Sequence, residues 1–580
     1  MKKRFLILTA ISLFALSGCD FLDKFLPGSN NQQNQQKEEQ NSQNSYEYQG
    51  LPSHKADLKT EEVTVEEKMT YKKVGEFYGC LVKNEKYSGY EFSKSNEEIN
   101  RPSEGIGEIK IYGFNDFHGA VLNNYPESGL IKIGSFFKEK SVQENTLILD
   151  QGDTWQGSFE SNFGYGEIVQ DVFNYAGVSL RTVGNHDFDW GLEHLKSTNN
   201  RKMEDDYIPC LAANVYDYAN GKNGNIQQSA IGNEYATFVL DNGVKVGVVG
   251  VIGTNQITSI CASNVEKICF TNHTDKIKEL SDYLRTKKNC DIIIASAHEG
   301  SEDLLNLGLS DISPVSKEKY CDLVLGGHVH SAHEQTENGT KFVQWDSNGS
   351  SIGLVSLKYN FSSNSIISNE TQVNTYHESN LNSHNNDIEK MVNDYVAQTD
   401  EIGNEVVHDK FSGKFDSGVL GRLMSEAIFD RVSENAEIDF AICNPARTSF
   451  DNDNGTYTVR DLYKTFPFDN EIILMTVSSL YSIRNIIWSS AYREDTSLEP
   501  QEGSNYRIAV VDYVALHENF NREKDKFPDA RNVEVFADKR GKVLTYKDIL
   551  YDYLKKNANK TFAANDYKEE NQHFVRSSNF

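Results

Sequence analysis

Cysteine, long apolar runs and positive charge are all scarce in this chain. Its 580 residues include eight cysteines without a repeated spacing, which argues against a disulfide scaffold. The apolar stretch from Phe5 to Leu16 is shorter than the roughly 20 residues that span a bilayer, and no later stretch is long and apolar enough. With 58 basic and 85 acidic residues the formal charge is −27, so nucleic acid is not expected as a substrate or partner.

The first nineteen residues have the features of a bacterial export signal. Lys2, Lys3 and Arg4 precede the apolar stretch, and Leu-Ser-Gly-Cys, ending at Cys19, follows it. This tetrapeptide resembles the bacterial lipobox, which implies cleavage before Cys19 and lipidation of its thiol. We therefore expect a mature protein of charge −30, lipid-anchored to the cell membrane outside the cytoplasm. The alternative is an ordinary signal peptide with a fortuitous cysteine.

Composition and periodicity divide the chain into segments. An Asn/Gln/Ser-rich tract predicts a disordered tether, and alternating strand-like and helical runs predict an α/β domain after it. A second, smaller domain follows a linker in which Ile388, Met391, Val392 and Tyr395 share one helical face. The predicted segments are a signal peptide (1–18), a tether (19–50), a segment of unknown role (51–107), the first domain (108–362), the linker (363–400), the second domain (401–562) and a tail (563–580).

Five short segments carry polar groups at the ends of strand-like runs. Residues at the carboxyl ends of neighbouring strands converge on one edge of a sheet, so sequence-distant side chains can form one site. The segments are FNDFHG (Asp116, His118), QGDTWQG (Asp153), GNHDFDWG (Asn185, His186, Asp187, Asp189), SAHEG (His298) and GGHVHS (His328, His330).

These residue types suit hydrolysis of a phosphate ester with two metal ions. Such ions lie roughly 3.5–4 Å apart, activate water at neutral pH and place positive charge beside the phosphoryl oxygens. Two cations this close need a bridging anion, and Asp153, the single carboxylate of its segment, is the candidate. Because the segments contain no cysteine, the donor set favours Mn, Zn, Fe or Co with oxygen and nitrogen ligands.

The five segments resemble the motifs of calcineurin-like metallophosphoesterases, in the version found in 5'-nucleotidases. The resemblance runs from about Ile109 to about Lys556. It implies a mixed α/β fold: a four-layer αββα metallophosphatase domain and a smaller α/β 5'-nucleotidase C-terminal domain. It also implies two divalent ions, one held by Asp116, His118, Asp153 and His330 and the other by Asp153, Asn185, His298 and His328.

The same resemblance assigns roles around the metals. It implies that His186 contacts the phosphate or leaving group and that Asp189 orients His186. Asp187 is either a supporting acid behind the metal ligands or a turn residue. Among the other histidines, His333 is near enough in sequence to the site to be worth testing.

Substrate-binding residues are expected in the second domain. The segment Phe466-Pro467-Phe468-Asp469-Asn470 resembles a family motif whose second aromatic ring, here Phe468, stacks on a nucleobase; the alternative is a core aromatic. Asn444 and Arg447 match part of a segment that helps to hold substrate, although Pro445 departs from it. The Gly-rich run that supplies a second ring is missing, and Phe520 or Tyr513 is the candidate replacement.

The sequence thus predicts a hydrolase of phosphoric ester bonds, in the first instance a 5'-nucleotidase. Nucleotide pyrophosphatase, cyclic phosphodiesterase and hydrolysis of other small phosphate esters stay open, as does a surface-binding lipoprotein that retains the fold. A disulfide between Cys261 and Cys269 also stays open.

Overall fold

The computed structural model describes residues 72–74, 76–83, 86–122, 129–199, 208–218, 226–228, 231–451, 455–515 and 526–575. The chain divides into two units, Met1–Tyr48 and Gln49–Phe580, and all described residues belong to the second. The predicted signal peptide, Cys19, the tether and Phe520 lie outside the described residues. No described helix has the length and apolar character needed to cross a membrane.

Two large sheets form the centre of the first domain. The nine-stranded sheet contains, in order, β1 (Lys72–Val74), β2 (Phe77–Lys83), β3 (Ser88–Ser93), β10 (Tyr235–Val239), β11 (Lys245–Ile252), β13 (Ile292–His298), β14 (Leu323–Leu325), β16 (Thr340–Gln344) and β15 (His333–Glu337). The seven-stranded sheet contains β18 (Ser365–Ile366), β17 (Ser351–Asn360), β4 (Ile106–Phe114), β5 (Thr146–Asp150), β6 (Leu180–Thr182) and β7 (Cys210–Leu211), with β19 (Gln372–His377) also paired to β17.

Helices and smaller elements complete this domain. The helices are α1 (Gly129–Ser141), α2 (Phe159–Phe163), α3 (Glu167–Ala176), α4 (Leu192–Asn199), α5 (Ala262–Val265), α6 (His273–Lys288) and the linker helix α7 (Asn386–Gly403). A three-stranded sheet contains β12 (Ile268–Phe270), β8 (Val215–Tyr218) and β9 (Ile226–Gln228). Short 3-10 turns cover His186–Phe188, Thr254–Ser259, Ser368–Glu370 and Glu378–Asn380.

Strand alternation explains the four layers. In β5, Leu147 and Leu149 point into the core between the two sheets, whereas Ile148 points outward to the core under α1, α3 and α7. In β13, Ile292 faces the inter-sheet core and Ile293 faces the core under α6. Successive side chains on a strand face opposite ways, so strands that are apolar throughout need cover on both sides. The predicted αββα architecture is confirmed.

Two local features show how the sequence sets this fold, and the second confirms the predicted linker helix. The turn at Asp241-Asn242-Gly243 joins the antiparallel strands β10 and β11, with Gly243 at a φ of 75°. In α7, Ile388 and Val392 are fully buried, and Met391 and Tyr395 pack against the same core.

The described part of segment 51–107 joins the nine-stranded sheet, because β3 pairs in parallel with β10. Its strands therefore extend one of the two central sheets.

The second domain is a small α/β unit. Its four-stranded sheet has the order β22 (Phe440–Ile442), β25 (Tyr506–Val511), β24 (Ile472–Val477) and β26 (Arg531–Val535). Its helices are α8 (Ser417–Ser433), α9 (Val459–Thr465), α10 (Leu480–Trp488), α11 (Asp512–Ala515) and α12 (Tyr546–Lys556). The short strand pairs are β20 (Val406–His408) with β23 (Tyr457–Thr458) and β21 (Phe411–Ser412) with β27 (Phe562–Ala563), and a 3-10 turn covers Ala564–Tyr567.

Two observations concern the predicted tail and the disulfide that was left open. Tyr567, Phe574 and Val575, in the predicted tail, are buried in the core of the second domain. Cys261 and Cys269 are not disulfide-bonded in the structure, so the disulfide that was left open between them is not formed.

Candidate active site

The predicted ligands lie in loops at the carboxyl ends of strands from both sheets. Asp116 follows β4, Asp153 follows β5 and Asn185 follows β6, all in the seven-stranded sheet; His298 ends β13 and His328 follows β14 in the other. Parallel pairing of β4 with β5 and of β13 with β14 sends the loops of each sheet to one edge, and the contacts of His298 with Asp153 and Asn185 show that the two edges meet. The residues from five segments therefore meet in one place.

The ligand atoms form two groups. Asp116, His118 and His330 are one, and Asp153, His298 and His328 are the other, with the candidate atoms of each group within 4.8 Å of one another. In the first, His330 Nε2 lies 3.0 Å from His118 Nε2 and 3.3 Å from Asp116 Oδ1.

Asp153 and Asn185 occupy the positions expected of shared and second-site ligands. Asp153 Oδ2 lies 3.2 Å from His298 Nε2 and 3.8 Å from His118 Nε2, between the two groups. Asn185 Oδ1 lies 3.0 Å from both His298 Nε2 and His328 Nδ1. The arrangement suits a carboxylate that bridges two ions.

Two buried oxygens support a cation at each group. Asp116 Oδ1 and Asp153 Oδ2 accept no well-formed hydrogen bond within the described part of the chain, although both carboxylates are almost fully buried. A buried anionic oxygen without such a bond is costly unless a cation compensates it. The donor set of carboxylate, imidazole and amide groups therefore fits two divalent ions.

The backbone of the ligand loops is held in an unfavourable conformation. Five predicted ligands have positive φ: Asp116 (49°), His118 (49°), Asp153 (55°), His328 (76°) and His330 (56°). Holding a non-glycine residue in this backbone conformation costs about 1–3 kcal/mol, and residues held in this way cluster at functional sites. A Cβ added at Gly184 would lie 2.2 Å from Asp153 Oδ1, so the glycine before Asn185 permits this close approach.

Carbonyl groups behind the site orient the ligands. His118 Nδ1 donates to Gln156 O at 2.9 Å and His298 Nδ1 donates to Gln151 O at 2.8 Å, which leaves Nε2 of each ring facing the site. Asn115, whose role was not predicted, donates to Asp116 Oδ2 at 2.7 Å and is bonded to the backbone of Trp345.

Burial and the neighbouring carboxylates shift the pKa values of the predicted ligands in different directions. Burial lowers the pKa of His118 to about 3 and that of His328 to about 4, so both rings are neutral at pH 7, the form that ligates metals. Burial also lowers the pKa of His298, but the Asp153 carboxylate beside it raises that pKa to about 10. For Asp153 itself, burial raises the pKa, but the His298 and His186 rings hold it well below its usual value.

His186 and Asp189 form a pair next to the two groups. His186 Nδ1 and Asp189 Oδ2 are 2.8 Å apart, and the backbone N–H of His186 donates to Asp153 Oδ1 at 2.8 Å. Burial lowers the pKa of His186, but Asp189 and Asp153 raise it above its usual value. The geometry leaves Nε2 of His186 as the atom for a substrate.

Asp187 turns away from the ligands and holds the loop from behind. Its carboxylate accepts from Arg181 at 2.8 Å, from the Gly184 N–H at 2.8 Å and from the Thr154 N–H at 3.3 Å. Asp187 thus supports the loops of Asn185 and Asp153. His333, the first residue of β15, lies outside both groups, and its Nδ1 lies 2.7 Å from Ser301 Oγ.

The structure brings the second domain to this site. The Phe468 ring stacks on His186 with centroids 5.4 Å apart and planes at 16°, and it also packs at the edge of the second domain's core. Arg447, whose side chain is exposed, lowers the pKa of His186 by charge repulsion. Burial raises the pKa of Tyr513. The Asp189 carboxylate raises this pKa further, and the Arg447 guanidinium lowers it.

The other two predicted substrate-binding residues are Asn444 and Phe520. The Asn444 amide donates to Pro445 O at 3.3 Å, within its own loop. Phe520 lies outside the described residues, so Tyr513 is the described candidate for a second ring.

Comparisons with known proteins agree with this architecture. Residues 109–332 match the family model described as calcineurin-like phosphoesterase, and residues 396–478 match 5'-nucleotidase, C-terminal domain. The chain therefore carries both predicted domains. The class predicted from the sequence, hydrolases of phosphoric ester bonds, is the class of these matches.

Individual relatives are distant. A 5'-nucleotidase of Vibrio cholerae is 23% identical over 63% of this chain and 72% of its own length. Endonuclease YhcR of Bacillus subtilis is 22% identical over 75% of this chain, and the chain spans 36% of that relative. The crystal structure of a 5'-nucleotidase precursor from Thermus thermophilus superimposes with a TM-score of 0.60 at 14% identity, covering 78% of this chain and 97% of that one, which shows a shared fold.

Proposed function

We propose that this protein is a metal-dependent phosphohydrolase that releases phosphate from nucleotides, that is, a 5'-nucleotidase. One observation carries the proposal: Asp153 Oδ2 lies between the two ligand groups, 3.8 Å from His118 Nε2 and 3.2 Å from His298 Nε2, and the backbone N–H of His186, whose ring bonds Asp189, donates to the other oxygen of that carboxylate. Two divalent ions held there would activate water and stabilise negative charge on the phosphoryl oxygens.

The protein's own residues account for the remaining steps. Asp189 fixes the His186 ring through Nδ1, so Nε2 can donate a proton to the phosphate or leaving group. Carbonyls of Gln156 and Gln151 keep His118 and His298 in the ligating orientation. Phe468, next to His186, supplies an aromatic face, and stacking of one base on such a face contributes about 1–3 kcal/mol.

Phosphate release by the purified protein tests the proposal. We expect release from nucleoside monophosphates with added Mn or Zn, loss of activity with a chelator and recovery on adding the metal back. The screen includes nucleoside di- and triphosphates, cyclic nucleotides, sugar phosphates and DNA. Turnover of cyclic nucleotides or DNA with none of the monophosphates would replace 5'-nucleotidase by phosphodiesterase. No metal-dependent release from any ester would favour a binding lipoprotein.

The role of Phe468 needs a separate comparison. Phe468→Ala should reduce kcat/KM for AMP by about 1–3 kcal/mol while leaving hydrolysis of p-nitrophenyl phosphate nearly unchanged, because the small ester presents no nucleobase. Tyr481→Ala, at an exposed aromatic of the same domain, is the matched control. An equal loss on both substrates would make Phe468 a core residue only.

We also propose that the mature protein is lipid-anchored outside the cytoplasm. The basic start, the apolar stretch and the Leu-Ser-Gly-Cys sequence support it, and an acidic, tethered enzyme at the cell surface could act on small phosphate esters that do not cross the membrane.

A further inference from the structure

Helix α2 of the metallophosphatase domain is built into the core of the second domain. Phe159 and Phe163 belong to the same buried apolar cluster as the residues of α8, α9 and α12. The Phe159 ring lies edge-on to Tyr463 of α9, with centroids 5.2 Å apart. Since α2 directly follows the loop that carries Asp153, this contact joins the active-site edge of one domain to the interior of the other.

Asn162 of α2 makes one hydrogen bond in each direction across this junction. Its Oδ1 accepts from the Gly157 N–H at 2.8 Å, and its Nδ2 donates to Pro467 O at 3.0 Å. Gly157 follows Gln156, whose carbonyl orients the predicted ligand His118. Pro467 precedes Phe468. One side chain, 6% exposed, thus connects a metal-ligand loop to the loop of the stacking ring.

Other contacts position the Phe468 loop within its own domain. Pro467 O also accepts from Lys547 Nζ at 3.1 Å, and the Phe468 N–H donates to the Tyr546 hydroxyl at 3.2 Å. Lys547 in turn pairs with Asp469 at 2.8 Å. These residues belong to α12 or to the loop itself, so they set the ring relative to the second domain, whereas the Asn162 bond sets it relative to the metal ligands.

We infer that Asn162 is a positioning residue that holds Phe468 over the active site and so determines the preference for nucleotides over phosphate esters without a base. The inference rests on the proposed function. Loss of the bond to Pro467 lets the ring shift relative to His186, on which it now stacks. A nucleotide must reach the Phe468 ring with its base and the phosphate contact with its phosphate at the same time. A small ester needs only the phosphate contact.

Asn162→Asp is the sharpest variant, because it retains an oxygen for the Gly157 N–H and removes the amide donor to Pro467 O. We expect kcat/KM to fall about tenfold for AMP and less than twofold for p-nitrophenyl phosphate, with two metal ions per chain retained. Combination with Phe468→Ala should add little to the loss on AMP, because both changes remove the same stacking contact.

Ser158→Ala is the matched control. The Ser158 hydroxyl caps α2 by accepting from the Ser161 N–H at 3.2 Å, so this change weakens the same helix without touching Pro467. The ratio of the two activities should be unaltered. If Asn162→Asp does not fold, Asn162→Ser provides the same comparison with a shorter side chain.

Three results would overturn the inference. They are an equal loss on both substrates, the same change of ratio in Ser158→Ala, and full additivity with Phe468→Ala. In each case the unaltered protein still hydrolyses AMP, so the proposed function stands. No phosphate release from any ester by the unaltered protein would instead overturn the proposed function and this inference with it.

Discussion

At the residue scale, the site combines strain with electrostatic compensation. Asp116, His118, Asp153, His328 and His330 all adopt positive φ, a conformation that packing must impose on them. Burial of Asp116 and Asp153 would be unfavourable without nearby positive charge or cations. The folded chain thus bears a cost that metal binding would offset, so that stability and metal content should change together.

Asp153→Ala should abolish activity and lower the bound metal, because removal of the shared carboxylate leaves two adjacent cations without their common anion. Elemental analysis of the purified variant measures this directly, with exposed Asp451→Ala as the control. Two ions per chain and normal turnover in Asp153→Ala would show that the bridging assignment is wrong.

His186→Ala should leave the metal content nearly intact and reduce kcat by about 10²–10⁴-fold, the usual range for a residue that transfers a proton. The reason is geometric. The His186 ring bonds Asp189 through Nδ1, and the backbone N–H of His186 donates to Asp153, so the ring itself is not part of either ligand group. Metal loss as large as in Asp153→Ala would contradict this division of roles.

At the scale of elements, α2 and α9 form the junction of the two domains. Arg460 of α9 places Nε 2.6 Å from Glu160 of α2 and a second nitrogen 2.8 Å from Asp400 of α7, and it also contacts Asn404. Glu160 is 2% exposed. An apolar contact joined by an ion pair whose carboxylate is buried opposes free rotation between domains, so Phe468 is held at the active site in this arrangement.

Arg460→Met should lower the free energy of unfolding by about 3–5 kcal/mol, because it leaves Glu160 buried without its cation. Urea unfolding followed by circular dichroism measures the change. Lys390→Met, which breaks the exposed Lys390–Asp394 pair on α7, should have no measurable effect. Similar small changes in both variants would show that the Arg460 pair adds nothing to stability.

At the scale of the whole molecule, charge and predicted anchorage define where the protein can act. A formal charge of −27 repels polyanions, and local positive charge at the metal site would be needed to attract a phosphate ester. The distant match to an endonuclease covers 75% of this chain, which is why DNA belongs in the substrate screen.

Cys19→Ser should release the protein from the membrane fraction without changing the kcat of the released form, because lipidation requires the thiol and no predicted catalytic residue lies before Asp116. Fractionation of producing cells, followed by phosphate-release assays on each fraction, provides the measurement. Membrane retention of Cys19→Ser after signal cleavage would require a different anchor.

From local patterns alone, the sequence predicts the strands and the polar groups at their ends, whereas the four layers and the division of the ligands between two metals are what the resemblance to metallophosphoesterases implies. Apolar runs such as those of β5 and β13 are buried on both faces wherever they pair, and ligands directly after such runs must emerge at a strand end. The linker helix Asn386–Gly403 likewise follows from its one-sided apolar periodicity.

Only the tertiary structure decided which distant residues meet. Asn162 lies 305 residues from Pro467 and Arg460 lies 300 from Glu160. Neither pair has a local signal, since Asn162, Glu160 and Arg460 are ordinary polar residues on short helices and Pro467 contributes only its backbone carbonyl. The same is true of β3, whose place beside β10 depends on pairing across the chain. Long-range packing sets these contacts, and through Asn162 and Phe468 it places the second domain at the predicted metal ligands.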